Sequence, residues 1–173
     1  MPMLSKLTLN NSNNNNNNRV NDMINALQTF LHQEIPLTKD MGLALTRYTD
    51  ENILIKAPLL NNINDKGSVF GGSSSALMII SGWSLIKLQC DKFQIDADIV
   101  IHKNETAWQK AMYDDLFVQA KFKCDYDFNK IKGLIDSNKH HRIDCLIELQ
   151  DVDANIYSTM LAKYVIIPKK KSK

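Results

Sequence analysis

The sequence contains few of the residues that would mark a disulfide framework, a structural metal site or a membrane segment. Its three cysteines, Cys90, Cys124 and Cys145, are odd in number and show no CxxC spacing. This pattern argues against disulfides and zinc and favours a reducing compartment. No apolar run approaches the roughly 20 residues of a transmembrane helix, and the N-terminus shows no secretory signal pattern. We therefore expect a cytoplasmic protein without a metal, another cofactor or a membrane partner, with Cys124 and Cys145 on the apolar sides of strands.

The sequence also has no large excess of charge of one sign. It contains 21 basic and 19 acidic residues, for a net charge of +2. This balance gives no reason to expect a nucleic-acid partner. Residues 10–18 read NNSNNNNNN, and such a polar tract cannot bury enough apolar surface to become ordered. Residues 169–173 read KKKSK, which is typical of a solvated tail, with a contact to phosphate or anionic lipid as the alternative. We predict a disordered Asn-rich extension over residues 1–19, one domain over residues 20–168 and a basic tail.

Hydrophobic periodicity predicts the elements of the domain. Apolar residues recur at three- and four-residue steps between Val20 and Leu31, which indicates an amphipathic helix. Alternation with a period of two predicts six strands, in residues 43–46, 53–57, 95–101, 116–122, 143–149 and 156–166. Residues 73–88 carry apolar residues on every side of a helical wheel, so this helix should be buried nearly all round. A curved antiparallel sheet wrapped around a central apolar helix satisfies both patterns and gives an α+β fold.

The dipeptide Gly71-Gly72 immediately precedes the predicted central helix. Glycine has no Cβ, so a ligand can approach the backbone closely there. The first amides of a helix have no partner inside the helix, and the helix dipole adds partial positive charge at the same end. These features suit a carbonyl oxygen that gains negative charge during a reaction. The alternative is an ordinary tight turn, and in both cases Ser73 is the expected helix cap.

The segment around this dipeptide resembles a known family. Residues 62–73 read NINDKGSVFGGS and are followed by Ala76-Leu77 and Gly82-Trp83, which is similar to the YiiD C-terminal-like thioesterase family of hotdog proteins. The resemblance covers residues 35–168. It implies a hotdog fold and a homodimer with clefts for acyl-CoA or acyl-carrier-protein (acyl-ACP) thioesters between the subunits, and it leaves open whether dimers pair into tetramers.

The resemblance also implies roles for individual residues. Hotdog thioesterases of the PaaI type carry an Asn seven residues before the first Gly of an HGG turn, and that spacing falls here on Asn64 and Gly71. The resemblance implies that the Gly71 amide polarises the thioester carbonyl and that Asn64 positions water or the carbonyl. Phe70 replaces the usual His. Ile79 stands where those enzymes carry an acid, and residues 73–90 contain no carboxylate.

The missing acid leaves the reaction open. Hydrolysis without a general base loses a contribution of roughly 10²–10⁴-fold. Asn64 or Ser81 could hold a water, and Asp65 is either the missing carboxylate or a solvated loop residue. Decarboxylation of a malonyl thioester needs oxyanion stabilisation but no base, and a non-catalytic thioester-binding protein needs neither. We expect a thioesterase with catalytic residues Asn64, Gly71 and Ser81 and substrate-binding residues Phe70, Gly72, Ser73 and Trp83.

Overall fold

The computed structural model describes the backbone of residues 4–169 and the side chains of residues 18–169. The elements follow in the order α1 (Leu4–Glu34), α2 (Pro36–Asp40), β1 (Ala44–Tyr48), β2 (Asn52–Ala57), a 3₁₀ turn (Leu59–Asn61), α3 (Gly71–Lys92), β3 (Ala97–Trp108), β4 (Leu116–Phe122), α4 (Phe128–Asp136), β5 (His141–Gln150) and β6 (Ile156–Pro168). The six predicted strands and both predicted helices are present. The α+β class is therefore confirmed.

The strands form one antiparallel sheet in the order β1-β2-β4-β5-β6-β3. Strand β3 lies at one edge and pairs with β6 along its whole length, with a bulge between Ile101 and Lys103. A second bulge lies in β1, between Leu45 and Arg47. Bulges increase the local twist and bend of a strand, which suits a sheet that curves around a helix.

Helix α3 lies against the concave face of this sheet. Its side chains Leu77, Met78, Leu85, Ile86 and Leu88 are all buried, together with the inward residues of β2, β4, β5 and β6. Burial of each such side chain stabilises the fold by about 1.5–3 kcal/mol. The apolar wheel of residues 73–88 therefore corresponds to a helix that is buried on most sides, with one stripe through Ala76, Ile80 and Trp83 only partly buried.

One glycine of α3 allows a close approach of the sheet to the helix. Tyr164 of β6 is fully buried and donates its hydroxyl hydrogen to the Ile79 carbonyl at 2.7 Å. A Cβ atom at Gly82 would lie 2.5 Å from that hydroxyl oxygen. No side chain therefore fits at position 82 while Tyr164 keeps this hydrogen bond.

The structure corrects two expectations about local structure and adds a helix. Helix α3 begins at Gly71, and Phe70 occupies the N-cap position without a side-chain hydrogen bond, so the prediction of Ser73 as the cap was wrong. Helix α4 was not predicted; its N-cap residue Asp127 accepts a hydrogen bond from the Lys130 amide. Cys124 is exposed because β4 ends at Phe122, so its placement on the apolar side of a strand was also wrong.

The N-terminal helix α1 packs on the domain through Ile24, Leu27 and Leu31, which are all buried. Its backbone is helical from Leu4 and so includes the asparagine tract, although we expected no order there. The division of the chain into extension, domain and tail stays a prediction, and residues 1–3 and 170–173 lie outside the described residues. Within residues 4–169, no helix is long and apolar enough to cross a membrane.

Candidate functional site

A cavity of about 660 Å³ lies where α3 begins. It is bounded by the first turn of α3, the end of β3 with the loop after it, and inward residues of β5 and β6. Its lining residues are Val69, Gly71, Gly72, Ser74, Ser75, Trp108, Gln109, Lys110, Ala111, Met112, Leu149 and Ser158. Apolar side chains and a few polar groups thus surround a volume suited to a small molecule.

The first turn of α3 borders this cavity and contains amides without a partner inside the helix. The first hydrogen bond of the helix runs from the Ser74 amide to the Phe70 carbonyl at 3.0 Å. The amides of Gly71, Gly72 and Ser73 precede it and need acceptors from outside the helix. Two of these residues, Gly71 and Gly72, line the cavity. The helix dipole adds partial positive charge there, so this end of the cavity favours an oxygen atom with negative charge.

The two glycines differ in their surroundings. A Cβ atom at Gly71 would lie 3.7 Å from the indole nitrogen of Trp108, which is an ordinary contact. A Cβ atom at Gly72 would lie 2.4 Å from a ring carbon of Phe70. The half-exposed Phe70 ring therefore packs against Gly72. Position 71 has room for a side chain, whereas position 72 has none unless that ring moves.

The loop before the helix is fixed by a buried asparagine that the sequence reasoning gave no role. Asn62 is buried, and its side-chain amide donates to the carbonyls of Met41 at 2.9 Å and Pro58 at 2.8 Å. The backbone carbonyl of Asn62 accepts a hydrogen bond from the Phe70 amide at 2.7 Å. The neighbouring Val69 amide donates to the Met112 carbonyl at 2.8 Å. The start of α3 is thereby held between two loops.

Asn64, two residues further on, uses its side chain within its own loop. Its Oδ1 accepts from the amides of Lys66 at 2.9 Å and Ser68 at 3.2 Å, and its Nδ2 donates to the Ser68 hydroxyl at 2.9 Å. Asn64 is absent from the cavity lining. Its neighbour Asp65 is exposed and pairs with Lys66 at 3.2 Å. In this arrangement Asn64 shapes the turn that leads to Gly71.

Two predicted site residues lie elsewhere on α3. Ser81 is fully buried and donates its hydroxyl hydrogen to the Leu77 carbonyl at 2.7 Å. Trp83 donates its indole N–H to the Ile99 carbonyl at 3.0 Å and stacks on Phe30, with 6.2 Å between the ring centroids. The structure thus places Gly71 and Gly72 on the cavity and Phe70, Ser73 and Asn64 in the segments beside it. It does not bring Ser81 or Trp83 to the cavity lining.

Several residues of the cavity were missed by the sequence reasoning. The Trp108 indole N–H donates to the Ser74 hydroxyl oxygen at 3.2 Å, and that hydroxyl donates to the Gly71 carbonyl at 2.9 Å. Ser158 is a polar residue on the buried face of β6, and that polarity was the one sequence signal for its role. Trp108 gave no such signal, because it lies at the end of an exposed strand far from Ser74 in the chain.

The charges around the cavity are few. Lys110 is the one charged residue in the lining, and the described lining contains no Asp, Glu or His. Its ammonium lies 4.2 Å from the centre of the Tyr157 ring, and the Tyr157 hydroxyl donates to Asp151 at 3.1 Å. Hydrogen bonds from the Asn155 side chain, and then from the Asn155 amide and Tyr157, hold the pKa of the Asp151 carboxyl below its ordinary value.

Thiolate and metal chemistry find little support in the described residues. Burial raises the pKa values of Cys90 and Cys145 to about 12, so both thiols stay protonated and unreactive near neutral pH. No group of three or more His, Cys, Asp or Glu side chains within the described part of the chain is arranged to hold a metal ion. The polar groups on the cavity itself are therefore the ones to consider.

An antiparallel sheet wrapped around a long helix, with a cavity at the helix N-terminus, defines a hotdog fold. The chain belongs to the family described as putative thioesterase (yiiD_Cterm), whose model matches residues 24–168. The resemblance found in the sequence is thereby confirmed.

Solved structures show the same fold. A protein of Shewanella oneidensis described as a putative thioesterase has 23% identity and a TM-score of 0.78, over 86% of this chain and 99% of that one. A protein of unknown function from Chlorobaculum tepidum has 18% identity and a TM-score of 0.79, over 87% and 97%. The Escherichia coli PaaI protein of the phenylacetic acid degradation operon has 10% identity and a TM-score of 0.65, over 87% and 98%.

Proposed function

We propose that this protein is a thioesterase for acyl-CoA or acyl-ACP substrates, whose thioester carbonyl is bound by the amides of Gly71 and Gly72. The observation that carries the proposal is that the first two residues of α3, whose amides have no partner within the helix, line a 660 Å³ cavity. Water attack on a thioester places negative charge on the carbonyl oxygen, and preorganised amides stabilise that charge. Family membership supports this reaction class.

The rest of the cavity suits the two ends of such a substrate. Val69, Met112, Leu149 and the Trp108 ring provide apolar surface for an acyl chain. Lys110 offers a cation for a phosphate of the carrier or for a carboxylate on the acyl group. Of the predicted catalytic residues, Gly71 alone enters the proposal, because the side chains of Asn64 and Ser81 are occupied within their own loop and helix.

We also propose a homodimer that forms along β3. This strand runs from Ala97 to Trp108 at the edge of the sheet, and its outer side has no neighbouring strand in the described chain. Such an edge offers unpaired backbone groups to a second strand. Because Trp108 ends this strand and lines the cavity, a second copy paired on β3 would stand beside the substrate and could supply the group that activates water.

A second reaction is favoured by the composition of the cavity. The described lining holds a lysine but no carboxylate or histidine, and decarboxylation of a malonyl thioester requires no general base. Loss of carbon dioxide leaves an enolate on the thioester, which takes a proton from solvent. The amides of Gly71 and Gly72 would stabilise the enolate oxygen, and Lys110 would bind the carboxylate before it leaves.

A proline at position 71 tests the amide directly. Position 71 is the first residue of α3, where proline is well tolerated and its missing N–H breaks no helical hydrogen bond. Phe70 before it has φ −70° and ψ 127°, an extended conformation that suits a residue preceding proline. Gly71→Pro should lower kcat by about 10²–10³-fold. The control Gly71→Ala keeps the N–H, and its Cβ atom makes only an ordinary contact with Trp108. Its kcat should therefore stay within a few-fold of that of the natural protein.

The assay should use a panel of acyl-CoA and acyl-ACP thioesters, malonyl included, and follow both free thiol and carbon dioxide. Thiol release that falls in Gly71→Pro supports the thioesterase. Carbon dioxide without thiol identifies the decarboxylase. Binding without either product identifies a non-catalytic thioester-binding protein. If no thioester binds, or if Gly71→Pro equals Gly71→Ala, the assignment of this site is wrong.

A further inference from the structure

We propose that Ser74 is a positioning residue that holds both peptide groups whose amides face the cavity; this inference rests on the proposed function of the same site. Ser74 is 1% exposed. Its backbone N–H donates to the Phe70 carbonyl at 3.0 Å, and its side-chain hydroxyl donates to the Gly71 carbonyl at 2.9 Å. One residue thus contacts two successive carbonyls at the start of α3.

Each of these carbonyls belongs to a peptide group that carries one of the proposed donors. The peptide bond is planar, so a hydrogen bond that fixes a carbonyl also fixes the direction of the N–H on the same peptide. The Phe70 carbonyl shares its plane with the Gly71 N–H, and the Gly71 carbonyl shares its plane with the Gly72 N–H. A hydrogen bond accepted by a carbonyl also polarises its peptide, so the Ser74 hydroxyl should make the Gly72 amide a stronger donor.

Trp108 completes this arrangement from the edge of the sheet. Its indole N–H donates to the Ser74 hydroxyl oxygen at 3.2 Å. The oxygen then serves as acceptor towards Trp108, and its single hydrogen is directed to the Gly71 carbonyl. A Cβ atom at position 71 would meet the indole ring at ordinary contact distance, so the ring lies close beside this residue. Trp108 therefore acts on the amides through Ser74, and this path of hydrogen bonds joins β3 to the first turn of α3.

A serine hydroxyl that bonds a helix carbonyl three or four residues earlier is also a common local structure without function. Ser137 provides a matched example, since its hydroxyl donates to the Gly133 carbonyl at 2.7 Å at the end of α4. The proposal separates the two serines, because only the hydroxyl of Ser74 lies at the start of the helix that carries the proposed donors. Ser137→Ala is therefore the control for Ser74→Ala.

The experiment measures kcat and KM for the thioester that the natural protein turns over fastest. Ser74→Ala should lower kcat by about ten-fold with little change in KM, a smaller loss than the roughly 10²–10³-fold expected when a donor is removed. Ser74→Thr, which keeps the hydroxyl, should recover most of that loss, and Ser137→Ala should equal the natural protein. Trp108→Phe should lower kcat by about three-fold in the natural background and by clearly less in Ser74→Ala, because its effect on the amides acts through the lost hydroxyl; a change in KM would report its separate contact with the acyl chain.

Natural kcat in Ser74→Ala, or losses from Ser74→Ala and Trp108→Phe that multiply, would overturn the proposal. A second readout does not depend on turnover: the ¹⁵N and amide proton shifts of Gly72 should move in Ser74→Ala and stay in place in Ser137→Ala. If the natural protein turns over no thioester, the proposed function fails while these shifts still decide whether Ser74 polarises the peptide. Unchanged Gly72 shifts in a folded Ser74→Ala protein would refute the positioning role in that case as well.

Discussion

The contact between Gly82 and Tyr164 provides a stringent test of how the central helix is seated in the sheet. A methyl group at position 82 would lie 2.5 Å from the Tyr164 hydroxyl oxygen and 2.8 Å from two of its ring carbons. Tyr164 has no free space to move into, because it is fully buried, and any shift would break its hydrogen bond to the Ile79 carbonyl. Gly82→Ala should therefore destabilise the protein although alanine favours helices.

The magnitude follows from three terms. Overpacking of a buried site costs about 1–3 kcal/mol, and loss of the Tyr164 hydrogen bond costs about 1 kcal/mol more. Replacement of glycine by alanine in a helix returns about 1 kcal/mol. The expected net loss is about 1–3 kcal/mol in the free energy of unfolding, which lowers Tm by about 2–4 °C for each kcal/mol in a protein of this size.

Chemical and thermal denaturation of a small set of variants measures this effect. Gly133→Ala is the control: it lies in α4, nothing stands within 4 Å of its Cβ position, and it should gain up to about 1 kcal/mol. Tyr164→Phe removes the oxygen at 2.5 Å, so the double variant Gly82→Ala with Tyr164→Phe should lose less stability than the sum of the two single losses. A Gly82→Ala protein as stable as the natural one would refute this account of the helix packing.

Two further predictions concern acid stability and assembly. The pKa of Asp151 is lowered in the folded protein. The stabilising effect of this carboxylate is therefore complete above the unfolded pKa of about 4 and is lost as the pH falls through the lower, folded value. Asp151→Asn should show a smaller drop in Tm between pH 5 and pH 3 than the natural protein. Light scattering should give twice the mass of a single chain, and a monomer at micromolar concentration would contradict the proposed pairing along β3.

The sequence was informative where one face of an element is buried. The alternation of Leu116, Val118 and Ala120 predicted β4, since these inward residues are fully buried, but the prediction ran on to Cys124, beyond the observed end at Phe122. The second half of β3 gave no pattern because both of its faces are largely exposed. Helix α4 is short and has only three buried residues, Phe128, Ile131 and Ile135. They indicate a helix only when Asp127 before them is read as its N-cap.

Some residues of the candidate site could likewise be predicted from the sequence, whereas others could not. The Gly71-Gly72 dipeptide could be found because the site depends on backbone amides at a helix start, and glycine marks such a place in the sequence. Ser73, Ser74 and Ser75 follow one another at the start of α3, and local sequence does not tell which hydroxyl donates back to the first turn. Trp108 reaches Ser74 only through the pairing of β3 with β6, and a single sequence does not reveal such a long-range register.

The bulge in β3 changes which residues of that strand point towards the helix. Before the bulge, Ile99 and Ile101 are paired with the buried residues Ile166 and Tyr164; after it, Thr106 and Trp108 are paired with the buried Met160 and Ser158. The inward side thus changes from odd to even numbers at one extra residue. If that extra residue instead took a regular place in the ladder, Ala107 would lie opposite Ser158 and Trp108 would point to the solvent face. The identity of the side chain that meets Ser74 is therefore set by a single backbone insertion six residues away.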